Sequence, residues 1–195
     1  MRAAVWNLLA KIIALPPVAD RLIARAQRAP YTHITSADGK TIYMGRWWLF
    51  NPYGRDADDN ATDARWRWLP SIRVHHIMRP DQDRDLHDHP WNARTVVLHG
   101  WYTEERPWGD LSDRRAMAVD GLSDDPDGVL RGLFHRRAGH TGRLLFAQYH
   151  RISQVSPGGV WTLFFTWRPR GEWGFLVNGK KVPWKTYLAE REQSQ

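Results

Sequence analysis

Apolar residues recur at helical spacing near the start of the chain. Val5, Leu8, Leu9, Ile12 and Ile13 follow one another at a period near 3.6, and after Pro16-Pro17 the set Leu22, Ile23 and Ala26 resumes it. Residues 1–30 are therefore expected to form an amphipathic helical extension of two short helices. From Tyr31 the period changes to two. In "YTHITSADGKTIYMGRWWLF" the Asp38-Gly39 step separates β-favouring runs, and in "GFLVNGKKVPW" Asn178-Gly179 does the same; both are hairpin cues. Between them "WRWLPSIRVHHIM", "ARTVVLHGWYTEE", "GRLLFAQYHRI" and "GVWTLFFTW" read as further short strands. Two turn-rich stretches, "NPYGRDADDNATDAR" and "RPWGDLSDRRAMAVDGLSDDPDG", read as surface loops. Many short strands with few internal helices predict an all-β antiparallel sandwich or barrel over residues 31–195.

Composition narrows the chemistry. A chain of 195 residues is sized for one domain, and with no cysteine it has neither disulfides nor thiolate ligands, so any metal is held by nitrogen and oxygen. The net charge of +7 is uneven: Val129 to Lys185 carries ten Lys/Arg against the single acid Glu172. Lys11 interrupts the first apolar stretch and "PPVAD" is a poor cleavage site, so the cytoplasm is the expected compartment. No run reaches the roughly 20 apolar residues of a transmembrane helix. The polar side of the extension, with Lys11, Arg21, Arg25 and Arg28, would suit an anionic membrane surface, but packing over the open side or edge of a sheet is the expected role. Twelve tryptophans raise base stacking, but they fall in strand-like runs where core packing is the commoner use, and no nucleic-acid-binding module is present. Nucleic acid is not an expected partner.

The candidate chemistry sits in "LHDHPWNARTVVLHG", Leu86 to Gly100. Nine histidines in 195 residues give about 0.4 His-x-His pairs by chance, so the pair needs its context. In an extended segment His87 and His89 leave the same face with Cα atoms roughly 6.6 Å apart, which lets two imidazoles meet one ion. His99 has the same parity, but ten residues of strand is roughly 33 Å, too far for one coordination sphere. His75 and His76 point to opposite faces, so at most one reaches a cavity. Thr162, Thr166 and Arg168 share one parity in "VWTLFFTWR"; if that face lines a cavity, Arg168 offers a guanidinium fork near its mouth. Trp91, next to the histidine pair, joins this substrate-facing set. Tyr102 and Glu104 share a face on the strand after Gly100, with Glu104 a replacement ligand or general base.

A barrel with His-x-His at the start of a strand and glycine eleven residues on resembles the cupin superfamily. In that family's first motif His-x-His is followed by three or four residues, a Glu, six residues and Gly. "PWN" supplies the three residues, Ala93 falls at the Glu position, "RTVVLH" supplies the six, and Gly100 lands on the Gly. The second motif is matched more loosely by "GHTGRLLFAQYHRISQ", with His150 as third ligand and Gln154 in an Asn position; the usual Pro-x-Gly is absent. His76 and His140 are the alternative third ligands. Segments "HDHPW", "YHRI" and "EWGF" are also similar to cupin-like proteins of bacterial and phage genomes.

The resemblance implies a cupin-type antiparallel β-barrel holding one divalent ion through His87, His89 and His150. With Ala93 in place of Glu, three neutral imidazoles leave the ion's charge uncancelled and coordination positions open. Three-His cupins resembling this pattern include thiol dioxygenases, so Fe(II) is favoured over Zn, Ni or Mn, and the first expectation is an oxygenase acting on a small polar or anionic molecule. A non-catalytic module binding a small molecule or partner is the second, and a metal-dependent isomerase or epimerase the third. A homodimer is compatible with all three.

Overall fold

Asn178 and Gly179 take φ of 50° and 75°, the left-handed pair that a two-residue primed turn requires, and they close β12 (Gly174–Val177) onto β13 (Lys180–Pro183). A longer connection, residues 36–41 with Gly39 at φ 68°, joins β1 (Ile34–Thr35) to β2 (Ile42–Phe50). Asp38 of that turn lies outside the residues described by the computed structural model, which are 2–36, 39–57, 61–83, 85–108, 121–124 and 130–193. The run "ARTVVLHGWYTEE" becomes two strands, β5 (Trp91–His99) and β6 (Trp101–Pro107), parted only by Gly100. Gly100 has φ 75°, and a Cβ there would stand 2.5 Å from Ser156 Oγ and 2.7 Å from the Gly159 carbonyl. Only glycine lets the chain turn so tightly against this loop, and the turn carries it from one sheet into another.

The remaining strands are β3 (Ser71–Ile77), β4 (Leu86–His87), β7 (Gly121–Asp124), β8 (Leu130–Arg137), β9 (Thr141–Leu144), β10 (Arg151–Val155) and β11 (Val160–Pro169). They form a six-stranded sheet ordered β1-β2-β3-β11-β5-β9, a four-stranded sheet β10-β6-β8-β7 and a three-stranded sheet β13-β12-β4. Every strand pairing among the described residues is antiparallel. The architecture is all-β and antiparallel with an N-terminal helical extension, consistent with a cupin-type barrel.

Helices α1 (Arg2–Ile13) and α2 (Pro16–Ala26) break at the proline pair. Their Ala10, Ala19 and Ala26 are fully buried in one core with Val74, Val96, Leu98, Leu163 and Phe165, flanked by Trp6, Ile13, Leu22 and Ile23. Small residues at the contact let the helices lie close on the outer face of the six-stranded sheet. The covering role expected of the extension is observed. The opposite side of α1 stays open: Val5, Leu8, Leu9 and Ile12 are all exposed, as is Leu15 at the break before α2. Among the described residues no single helix is long and apolar enough to cross a membrane; α1 and α2 would suffice only together, and they are bent by 81°.

Two elements depart from the sequence reading. Helix α3 (Trp184–Gln193) follows β13, although "WKTYLAEREQ" has no apolar face to announce it; Tyr187 stacks on Phe175 at 3.8 Å and donates to Asp85 at 2.9 Å, so tertiary contacts anchor it. Strand β7 falls within the second stretch read as loop, where pairing with β8 supplies what local pattern does not. The other described part of that stretch, up to Trp108, completes β6; the rest lies outside the described residues.

Candidate metal centre

Strand β4 is two residues long, yet it is held on both sides. His87 lies opposite Phe175 of β12, and its N–H and C=O exchange 2.9 Å hydrogen bonds with the C=O and N–H of His150. This bridge brings the two rings to 4.9 Å between centroids. Asp88 points the other way into a fully buried site, where it accepts the Gly174 N–H at 2.7 Å and Lys181 Nζ at 2.6 Å. With Asp88 locked, alternation sends His87 and His89 to the same side. The His89 ring stands 5.2 Å from His87 and 5.1 Å from His150, and Nε2 of His89 and His150 are 3.0 Å apart. One nitrogen from each of the three rings lies within 4.8 Å of the others.

Electrostatics suit a cation there. Burial lowers the His87 pKa to about 4, with His150 adding to the effect against Asp81 and Glu104. Burial, the other two ligands and then Arg73 and His75 hold His89 well below its ordinary range. Both rings are neutral at pH 7, the state a ligand needs. Glu104 Oε1 accepts from His150 Nδ1 at 2.9 Å, which fixes the tautomer and leaves Nε2 free to face the other rings. Burial pushes the Glu104 carboxyl up, but Arg106, the His150 hydrogen bond and Arg136 outweigh it and hold the group well below the usual carboxylate range. Arg106 reaches Oε1 at 2.8 Å and Arg136 reaches Oε2 at 3.2 Å. Three converging imidazoles, two of them held neutral by burial and the third oriented by a carboxylate, fit a divalent ion.

Glu104 therefore corrects the expectation placed on it. Both oxygens are engaged behind His150, so it neither joins the ligand set nor faces a substrate as base. Tyr102 shares its face as expected but packs among Ile77, Val97, Ile152 and Val160, and burial raises its pKa; it adjoins the core, with no face toward a ligand pocket. Thr162, Phe164 and Thr166 do line the inner side of β11: Phe164 lies 6.3 Å from His89, and Thr162 and Thr166 are almost wholly buried. Trp91, Thr166 and Arg168 line a cavity of about 470 Å³ together with Tyr53 and Trp173, whereas Thr162 lies outside it. Trp91 packs on His89 at 5.3 Å and Trp173 on His87 at 6.3 Å, so both stand between cavity and ligands. Arg168 is exposed at the lip.

The rival histidines are used elsewhere. His99 pairs with Asp20 of α2 at 2.8 Å, and His76 stacks on Trp161 at 4.0 Å with Nε2 2.9 Å from the Gly158 carbonyl oxygen. His140 sits in the turn before β9, His33 accepts the Arg46 N–H, and His135 packs on Trp101. Two inner residues escaped the sequence reading of the site: Arg73 was not singled out, and His75 was weighed only as a rival ligand. In "SIRVHHI" they alternate with Ile72 and Val74, so a charge at the inward parity of an apolar strand was the available signal.

No protein-family model and no curated protein matches this sequence. Solved structures with related outlines include Fe(II) HppE, at 9% identity and TM-score 0.41 over 70% of this chain and 56% of that one. They also include Bacillus subtilis oxalate decarboxylase, in a study of its Mn(II) centres, at 13% identity and TM-score 0.43 over 87% of this chain and 32% of that one. Lactobacillus farciminis oxalate decarboxylase in a formate complex matches at 12% identity and TM-score 0.42 over 76% and 33%. The chain spans just over half the length of the first and about a third of the other two. At these values the overlays carry no argument about activity.

Proposed function

We propose that this chain is a metal-dependent enzyme of the Fe(II) oxygenase type acting on a small anionic molecule. The observation that carries the reading is the convergence of three imidazoles, from His87, His89 and His150, with no carboxylate among them. Bound there, Fe(II) would supply Lewis acidity and one-electron chemistry with dioxygen at positions the histidines leave open. The chain supplies the rest. Glu104 keeps the His150 proton on Nδ1, Trp91 and Trp173 wall the ligands from the open cavity, and burial keeps His87 and His89 unprotonated. Residues 31–195 are the catalytic unit in this reading, with 1–30 covering its outer sheet.

Anaerobic Fe(II)-loaded protein, screened with thiol-carboxylates, amino acids, 2-oxo acids and sugar phosphates, is expected to show a spectral change with one class and oxygen uptake in that class alone. Metal binding with no response across the panel would assign a non-catalytic module; turnover under nitrogen would assign isomerase or epimerase chemistry.

The outer side of α1 has a second use in this proposal. Val5, Leu8, Leu9, Ile12 and Leu15 form one exposed apolar stripe, and the exposed cations Lys11, Arg21, Arg25 and Arg28 of the same helical pair complement an anionic bilayer surface. The protein is expected to sediment with phosphatidylglycerol-containing vesicles at low ionic strength and not with neutral ones. Leu8→Glu with Ile12→Glu should weaken this about tenfold or more while leaving the fold intact, since both side chains face solvent. Absence of vesicle binding, or a dimer abolished by the same substitutions, would refute the membrane role.

A further inference from the structure

Arg73 and His75 alternate on β3 and so face the barrel interior together, in register with Phe164 and Thr162 of β11. Arg73 is 3% exposed, and among the described residues it has neither a hydrogen-bond partner nor an acid. Its guanidinium carbon lies instead between five aromatic rings: Trp48 at 5.2 Å, Tyr53 at 5.5 Å, Phe164 at 5.6 Å, and Tyr31 and Trp91 at 5.7 Å. Ring faces attract a cation, but they do not satisfy five N–H donors lying in the guanidinium plane. A buried cation without an anion is costly, and uncharged residues of similar size pack such a site at no loss.

Two more buried ring nitrogens around the same rings have no partner. His75 Nε2, on a ring 4.9 Å from Phe164, and Trp91 Nε1 are both unbonded, as is Arg73 Nε. Phe164 and Trp91, which wall in Arg73, are also the rings that pack against His89, so the unbonded donors surround that ligand. Arginine and tryptophan donate only, and His75 donates in its Nε2–H tautomer. A ligand that satisfies all three must accept hydrogen bonds and carry negative charge.

We infer that Arg73, Trp91 and His75, at the inner end of the cavity that Trp91 lines, form an oxyanion subsite that holds the carboxylate or phosphate-type group of the substrate. It deepens the proposed function by naming the anchor, and it replaces Arg168 at the cavity lip as the anion-binding group. The donors belong to β3 and to Trp91 of β5, apart from the histidine trio, so the subsite exists whether or not a metal does.

Calorimetric titration of the purified full chain at low ionic strength with sodium acetate, methylphosphonate and neutral acetamide tests this, with metal content measured on the same samples. One of the two anions is expected to bind one per chain and acetamide not at all; which anion binds distinguishes a planar from a tetrahedral group. Arg73→Met should weaken binding about 30-fold or more, with unchanged metal content and a Tm no lower than wild type, because it removes a buried unpaired charge. Trp91→Phe keeps the ring and removes one donor, and about fivefold weakening is expected. Should Arg73→Met fail to fold, Arg73→Lys, which loses the fork, is expected to bind about tenfold more weakly. The inference is overturned if neither anion binds, or if the Arg73 variant that folds binds as tightly as wild type, as it would if the anion sat only on a metal. Lack of metal in those samples would defeat the proposed function and leave this result standing.

Discussion

Glu104→Ala is expected to destabilise the protein by about 3–5 kcal/mol, the largest effect of any single substitution at the site. The reason is what it leaves behind. Arg106 and Arg136 have side chains only 8% and 10% exposed, and Glu104 is the acid that both of them reach. Arg106 retains the Arg143 carbonyl at 3.1 Å and lies over Phe134, but neither contact neutralises its buried charge. For a chain of this length the loss corresponds to a fall in Tm of roughly 10 °C. Glu104→Gln keeps the volume and a hydrogen-bonding group, so it should fold, yet it no longer holds the His150 proton on Nδ1 by charge. Metal affinity is then expected to fall about 10- to 100-fold, with a stability loss smaller than that of Glu104→Ala because the carboxamide oxygen still accepts a hydrogen bond although the charge is gone. Denaturation curves and metal titration of the two variants check both parts; wild-type metal affinity in Glu104→Gln would remove the positioning role.

The second large effect is on the metal itself. His87→Ala and His89→Ala should each reduce the protein from about one divalent ion per chain to none, because two imidazoles do not retain an ion that three hold. The metal-free variants should lose about 1–3 kcal/mol from the cavity left by a packed ring, without unfolding. His99→Ala is the control: its Nε2 serves Asp20 on the outer face, so metal content should not move. Elemental analysis of protein purified without a polyhistidine tag reads the result directly, and stoichiometric metal in the double variant His87→Ala/His89→Ala would dispose of the centre.

Much of this site was legible along the chain because alternation is local. His87 and His89 share a face in any extended segment, and Asp88 must then face the opposite way, whatever the fold. Likewise Asn178-Gly179 closes a hairpin and Pro16-Pro17 breaks a helix through the backbone preferences of those residues alone. His150 was found through motif spacing, and the reciprocal bonds with His87 explain why that position suits a ligand.

The role of Glu104 was not available in this way. Its oxygens meet Arg136 and His150 at sequence separations of 32 and 46, so whether it is a base, a ligand or a support for a ligand depends on which donors other strands bring to it. The same holds for Arg73. Strand parity turns it inward, but only the packed structure shows five rings and, among the described residues, no acid paired with it. Local order, determined by backbone preference and side-chain alternation, thus belongs to the sequence by itself. Partnership belongs to the tertiary structure, because a buried polar group takes its meaning from what is, or is not, within hydrogen-bond reach once β3, β6, β8 and β11 have closed around it.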